Sequence, residues 1–265
     1  MLQLNNVSKI FYKNTCNENR ALTGVDLQIE SGKFVSMIGS NGAGKSTLLN
    51  CIAGVHEVSS GNILLDGENI CQQEEYERAK YIGRVFQDPL LGTSPEMTIA
   101  ENLSLAYNKT ENMSLSWGLT SKKKEYIKDK LRDIDLGLEE RLSTRVKLLS
   151  GGQRQALTLL MATMTEPKLL LLDEHTAALD PNTAIKIKKL TEKLIREKNI
   201  TTLMVTHNME DAINMGDRLI MMSQGDIIMD IEGGEKKALT VDKLIQLFRE
   251  KQGSSFSNDR ALLTV

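Results

Sequence analysis

The run Gly39, Ser40, Asn41, Gly42, Ala43, Gly44, Lys45, Ser46 and Thr47 limits what this chain can fold into more than any other feature. It has the pattern of a phosphate-binding loop, and such a loop works only when a strand delivers it and a helix leaves it. The flanks meet that condition. Residues 34–38 are a short apolar run of strand character, and Lys45–Ala53 reads as a helix stopped by Gly54. Glycines let the backbone wrap closely, so that successive N–H groups face the β- and γ-phosphates, and the helix N-terminus adds partial positive charge. Lys45 supplies a point charge for the phosphate oxygens, and the Ser46 hydroxyl a ligand for Mg2+. A glycine-rich turn with an incidental Lys-Ser pair is the plain alternative, and the strand–loop–helix context argues against it. Alone, the loop specifies a nucleoside triphosphate and says nothing of its use.

Around the loop, strand and helix patterns alternate. Residues 2–7, 24–29, 34–38, 62–65 and 81–86 read as strands. From Pro89 to about Thr165 the pattern turns helical, over 99–107, 124–134 and 153–165. Strand and helix then alternate again: 169–172, 184–197, 202–205, 209–215 and 219–222. This order predicts an α/β fold with a mostly parallel sheet and an inserted helical part. Residues 241–250 read as a short amphipathic helix with Leu244, Ile245, Leu247 and Phe248 on one side, followed by a loose tail from Lys251. With 265 residues, 40% of them hydrophobic, the chain can build one large domain. No stretch reaches the roughly 18 apolar residues of a membrane span, and the first residues lack the basic-then-apolar order of a secretion signal. A formal charge of −2 argues against nucleic acid as a partner. Cys16, Cys51 and Cys71 form no close pair and point to neither a disulfide framework nor a zinc site.

Leu169, Leu170, Leu171 and Leu172 end in two acids, Asp173 and Glu174, where α/β sheets bind ligands. Asp173 is suited to hold Mg2+, and Glu174 to polarise a water beside the γ-phosphate. Shortly before them stand Leu149, Ser150, Gly151, Gly152 and Gln153, a second hydroxyl-and-glycine helix start suited to anions. With that pentapeptide the chain resembles the ATPase cassettes of ABC transporters, over about residues 2–231. The resemblance implies a P-loop NTPase (RecA-like) fold with an antiparallel β subdomain and a helical subdomain at about 89–165, the cassette covering 1–232 and a short C-terminal helix and tail 233–265. It also assigns roles: Gln87 as the glutamine that senses γ-phosphate and Mg2+, Asp180 to the D-loop, His207 as the switch histidine at the γ-phosphate, and Phe11 as the ring that stacks on adenine. In that family two cassettes close around two ATP molecules, Ser150 to Gln153 of one completing the site of the other. The implied partners are a second cassette, most simply another copy, and an integral-membrane permease.

His175 follows Glu174 where the family usually has proline, and it reads as a tolerated surface residue rather than a nucleotide contact. The strings around Asp173 and His207, with the terminal SNDRALL, resemble a bacterial importer subgroup paired with a solute-binding lipoprotein of the aromatic-amino-acid type. The expected place is therefore the cytoplasmic face of the membrane. An exporter subunit and a soluble non-transport ATPase remain the other readings. Leu90, Leu91, Met97 and Ile99 are open to two readings, a permease-facing patch or helix–loop core. Lys122, Lys123 and Lys124 read as a solvated helix start rather than a lipid contact.

Overall fold

The computed structural model describes residues 1–108, 120–134 and 136–252. SNDRALL, and most of the tail expected from Lys251 on, lie outside them. In chain order the elements begin with β1 (Leu2–Phe11), β2 (Asn19–Ile29), β3 (Phe34–Gly39), α1 (Lys45–Ala53), β4 (Ser60–Leu65), β5 (Glu68–Asn69), α2 (Glu75–Arg78) and β6 (Ile82–Val85). Then come α3 (Ile99–Asn108), α4 (Ser121–Arg132), a 3-10 turn at Val146–Leu148 and α5 (Gly151–Thr163). The order closes with β7 (Leu169–Asp173), α6 (Pro181–Glu197), β8 (Thr201–Val205), α7 (Met209–Asn214), β9 (Arg218–Ser223), β10 (Asp226–Glu232), α8 (Gly233–Lys237) and α9 (Val241–Gln252). Among the described residues no helix is long and apolar enough to cross a membrane.

Most differences from the sequence reading lie at element ends and have local causes. β1 and β2 run beyond their apolar cores because their antiparallel ladder continues through Ile10 opposite Arg20 and Phe11 opposite Asn19. α6 starts at Pro181 rather than residue 184 because Asp180 caps it and proline at the first position costs no backbone bond. α4 starts at Ser121 because the Thr120 hydroxyl accepts the Lys123 N–H. β5, α2, α8 and β10 have no counterpart in the sequence reading, and β10 is the longest of them. It pairs antiparallel with β9 across Gln224 and Gly225, both at positive φ (50° and 82°), as a two-residue hairpin requires.

The chain forms two compact units. One takes Met1–Ala79 and the described chain from Asn199 onward, the other Lys80–Lys198. In the first, β2, β1, β4 and β5 form an antiparallel sheet in that order, while β10, β9, β3 and β8 lie side by side. β3 is parallel to both β8 and β9, and all six of its residues are buried. α9 closes this core, with Leu244 and Phe248 buried among Met209, Ala212, Leu219 and Ile231, and Ile245 and Leu247 half-buried.

In the second unit β6 and β7 are parallel neighbours, accompanied by α3, α4, α5 and α6. Leu169, Leu170, Leu171 and Leu172 are each 0% exposed, the strand covered on both faces that the unbroken apolar run predicts. Each such leucine contributes about 2 kcal/mol of transfer free energy.

Candidate functional site

In the first unit, the phosphate loop leaves the C-terminal end of β3 and enters α1. Gly44 takes the N-cap position of α1 at φ 99°, with no side-chain cap. A Cβ there would meet the Ala21 carbonyl oxygen at 2.5 Å, so glycine is required on both conformational and steric grounds. The N-cap thus offers the first-turn N–H groups of α1 no side chain of its own, an arrangement suited to an anion. Lys45 is buried, and its ammonium donates to the carbonyl oxygens of Gly39 (2.7 Å) and Ser40 (2.9 Å). Asn41, Gly42 and Ser46 are exposed, Ser40 and Thr47 half-buried, and Ala43 buried.

His207 comes to the same edge. Met37 of β3 pairs with Val205 of β8, so two residues further on the register sets His207 level with Gly39, the last residue of β3. His207 is exposed, just before the Asn208 side chain that caps α7 by accepting the Asp211 N–H. Phe11, the last residue of β1, is half-buried. Its ring meets His56 nearly perpendicularly, with centroids 5.2 Å apart, and the Lys9 ammonium lies 5.0 Å from its centre. The adjacent Tyr12, at φ 52°, is exposed.

In the second unit, parallel register performs the same service. Val85 pairs with Leu172, so Gln87 and Glu174 emerge two residues later at one edge, with Asp173 the last residue of β7. Gln87 is exposed, and Asp173 and Glu174 are half-buried. Glu174 sits at φ 45°, a left-handed conformation uncommon outside glycine, asparagine and aspartate, and one that gathers at functional positions. Sequence reasoning missed Arg84 and Phe86, which join this edge. The Arg84 guanidinium stands 3.7 Å from the Asp173 carboxylate and 4.5 Å from the centre of the Phe86 ring. The signal that could have found Arg84 was the register: in a parallel pair, the residue opposite Leu171 shares a face with Asp173.

Ser150 caps α5. Its hydroxyl accepts the Gln153 N–H (3.3 Å) while the Gln153 side-chain oxygen accepts the Ser150 N–H (3.2 Å), a reciprocal box that fixes the helix start. Ser150 is exposed, Gly151 and Gln153 half-buried, and Gly152 buried. A Cβ on Gly152 would lie 2.2 Å from Thr183 Cγ2, so α5 and α6 approach closely only because that side chain is missing. Asp180 is exposed and caps α6 by accepting the Thr183 N–H (3.0 Å). Its hydrogen bonds with Thr183 hold its carboxyl below the usual range.

The surface reading of His175 is wrong. The ring is 2% exposed, and its Nε2 lies 3.1 Å from the Thr191 hydroxyl. That hydroxyl gives its proton to the Ile187 carbonyl oxygen (2.8 Å), so it accepts from His175 and fixes the neutral Nε2–H tautomer. Burial, and secondarily the nearby Lys188 charge, lowers the imidazole pKa from 6.5 to about 4. Between those values the unfolded chain holds a proton that the folded chain refuses, so stability falls as pH falls. The expected loss is about 2 kcal/mol by pH 5, and about 3 kcal/mol once pH drops below the folded value. Urea unfolding at pH 7 and pH 5 measures it. A His175→Gln variant with the same pH dependence as the parent would remove His175 as the cause.

The apolar group in this unit resolves into two parts. Ile99 is 0% exposed and Met97 half-buried, whereas Leu91 is 69% and Leu90 38% exposed. In the lysine run, Lys123 packs over the Tyr107 ring (4.6 Å) and Lys124 is exposed. The side chain of Lys122 lies outside what is described.

Comparison with known proteins agrees with this geometry. Residues 22–177 match the family described as ABC transporter. The chain is 50% identical over 248 residues to a tyrosine transport ATP-binding protein of Clostridioides difficile (strain R20291), covering 94% of this chain and 98% of that one. It is 39% identical to the glycine betaine/carnitine/choline transport ATP-binding protein OpuCA of Bacillus subtilis (strain 168), over 86% of this chain but only 57% of that longer protein. The dimeric structure of a post-hydrolysis state of the ATP-binding cassette MJ0796, bound to ADP and Pi, matches with a TM-score of 0.75 and 30% identity, over 88% of this chain and 98% of that one. The phosphate loop between β3 and α1, the parallel strands and these relatives lead to one conclusion: the chain has the α/β fold of P-loop NTPases and belongs to the ABC transporter family, as one of its ATPase cassettes.

Proposed function

We propose that this chain is the energy-supplying subunit of an importer for a small solute, an amino acid such as tyrosine. It works at the cytoplasmic face of the membrane as one of a pair of cassettes joined to a separate permease. The observation that carries this reading is the 50% identity, nearly end to end, to a relative named for tyrosine transport. The dimeric state of the solved cassette supports a second copy as the partner. The permease and a solute-binding lipoprotein choose the solute.

In this reading the N–H groups from Gly39 to Thr47 and the Lys45 ammonium bind the β- and γ-phosphates, and Phe11 stacks on adenine. His207 contacts the γ-phosphate, Glu174 takes the proton of the attacking water, and Asp180 lines the dimer interface. Ser150, Gly151, Gly152 and Gln153 close on the ATP held by the partner cassette. The residues implied for Mg2+ are the Ser46 hydroxyl, the Gln87 side-chain oxygen and the Asp173 carboxylate. All are hard oxygen donors and none is buried, which fits the ion's preference. When bound, Mg2+ neutralises charge on the phosphate oxygens. The chain's own part is positioning and charge complementarity, the main sources of catalysis in phosphoryl transfer.

Purification of the tagged chain from native membranes in mild detergent, with mass spectrometry of its companions, tests the assignment. A multi-span permease together with a solute-binding lipoprotein is the expected result. A permease without a binding protein would indicate export, and only soluble companions would end the transport reading while leaving the ATPase intact.

A further inference from the structure

The geometry points to Arg84 as a built-in counter-ion for Asp173, one that competes with the metal and so sets how tightly the nucleotide site holds it. This rests on the reading above that Asp173 is a metal ligand. Three observations support it. Arg84 lies opposite Leu171 in the parallel β6–β7 pair, so its side chain leaves the same face as Asp173, two residues further along. Its guanidinium nitrogen is 3.7 Å from the Asp173 carboxylate oxygen, with the two side chains only 14% and 18% exposed. The guanidinium also lies 4.5 Å from the centre of the Phe86 ring, the residue immediately before Gln87.

The spacing determines what this pair does. At 3.7 Å the contact is an ion pair longer than a hydrogen bond, so the guanidinium acts on the carboxylate through its charge rather than by taking up a lone pair. A half-buried carboxylate beside an apolar strand is costly to leave uncompensated, and the guanidinium offsets part of that cost. When a divalent ion arrives, two positive groups share one carboxylate, and their repulsion weakens the metal's hold. The Phe86 face keeps the guanidinium in place, and the same contact ties the root of Gln87 to the end of β7. Arg84 is thus a positioning residue: it acts on the metal through Asp173.

The test measures Mn2+ affinity, by electron paramagnetic resonance, of the full chain with ADP, for the parent and the variants Arg84→Met, Arg84→Gln, Arg84→Lys and Asp173→Asn. Removing the charge is expected to tighten Mn2+ binding by roughly five- to tenfold in both Arg84→Met and Arg84→Gln. Arg84→Lys, which keeps the charge, should stay near the parental value. Two neutral variants allow the comparison to stand if one folds poorly. Unchanged or weaker Mn2+ binding in the neutral variants, with Asp173→Asn clearly weakened, would overturn the counter-ion role alone. Parental affinity in Asp173→Asn would instead overturn the assignment of Asp173 as a metal ligand.

Discussion

Replacing Glu174 with glutamine is expected to slow ATP turnover by about a thousandfold while leaving ATP binding intact. Glutamine keeps the size and most of the hydrogen bonding of the side chain and removes only its ability to take a proton. Glu174 stands at the end of β7 with φ 45°, a backbone state that both residues tolerate equally poorly, so the exchange tests chemistry rather than fold. With ATP bound and its cleavage blocked, two copies should remain closed around it. Phosphate release under steady-state conditions reports the first effect, and the size of the particle in solution with ATP reports the second. Turnover at the parental rate would remove Glu174 from the role of general base and direct attention to His207.

The second large effect is expected at Lys45. Its ammonium satisfies the Gly39 and Ser40 carbonyl oxygens from inside the loop, and the proposed function also gives it the phosphate oxygens. Lys45→Ala removes a charged donor from both sets. Loss of charge-assisted hydrogen bonds of this kind weakens ATP binding by roughly ten- to a hundredfold. Titration with a fluorescent ATP analogue measures that loss, and heating with and without ATP gives a second view, because a ligand that binds only the folded chain raises its melting temperature. A Lys45→Ala protein with parental ATP affinity would contradict the phosphate role.

The parts of the site legible in the sequence are those whose chemistry demands certain residues at fixed offsets along the chain. The loop from Gly39 to Thr47, the acids after Leu172 and the Ser150 helix cap are of this kind, and α1 was found from Lys45 to Ala53, the span it occupies. What stayed hidden depends on neighbours distant in sequence. Nothing local to His175 foretells that Thr191, sixteen residues on, takes it into the core. Arg84 reads as an ordinary strand residue until the register sets it beside Asp173. β10, with the sequence DIIMDIE, has charges where a buried strand would not. It lies at the end of its row of strands, where polar residues are tolerated.

The missing side chain at Gly152 has a mechanical consequence. With Thr183 Cγ2 only 2.2 Å from where a Cβ would stand, the first turns of α5 and α6 fit tooth to notch. The Ser150 cap and the Asp180 cap therefore stand on either side of one tight contact, through which a shift of either helix start is felt by the other.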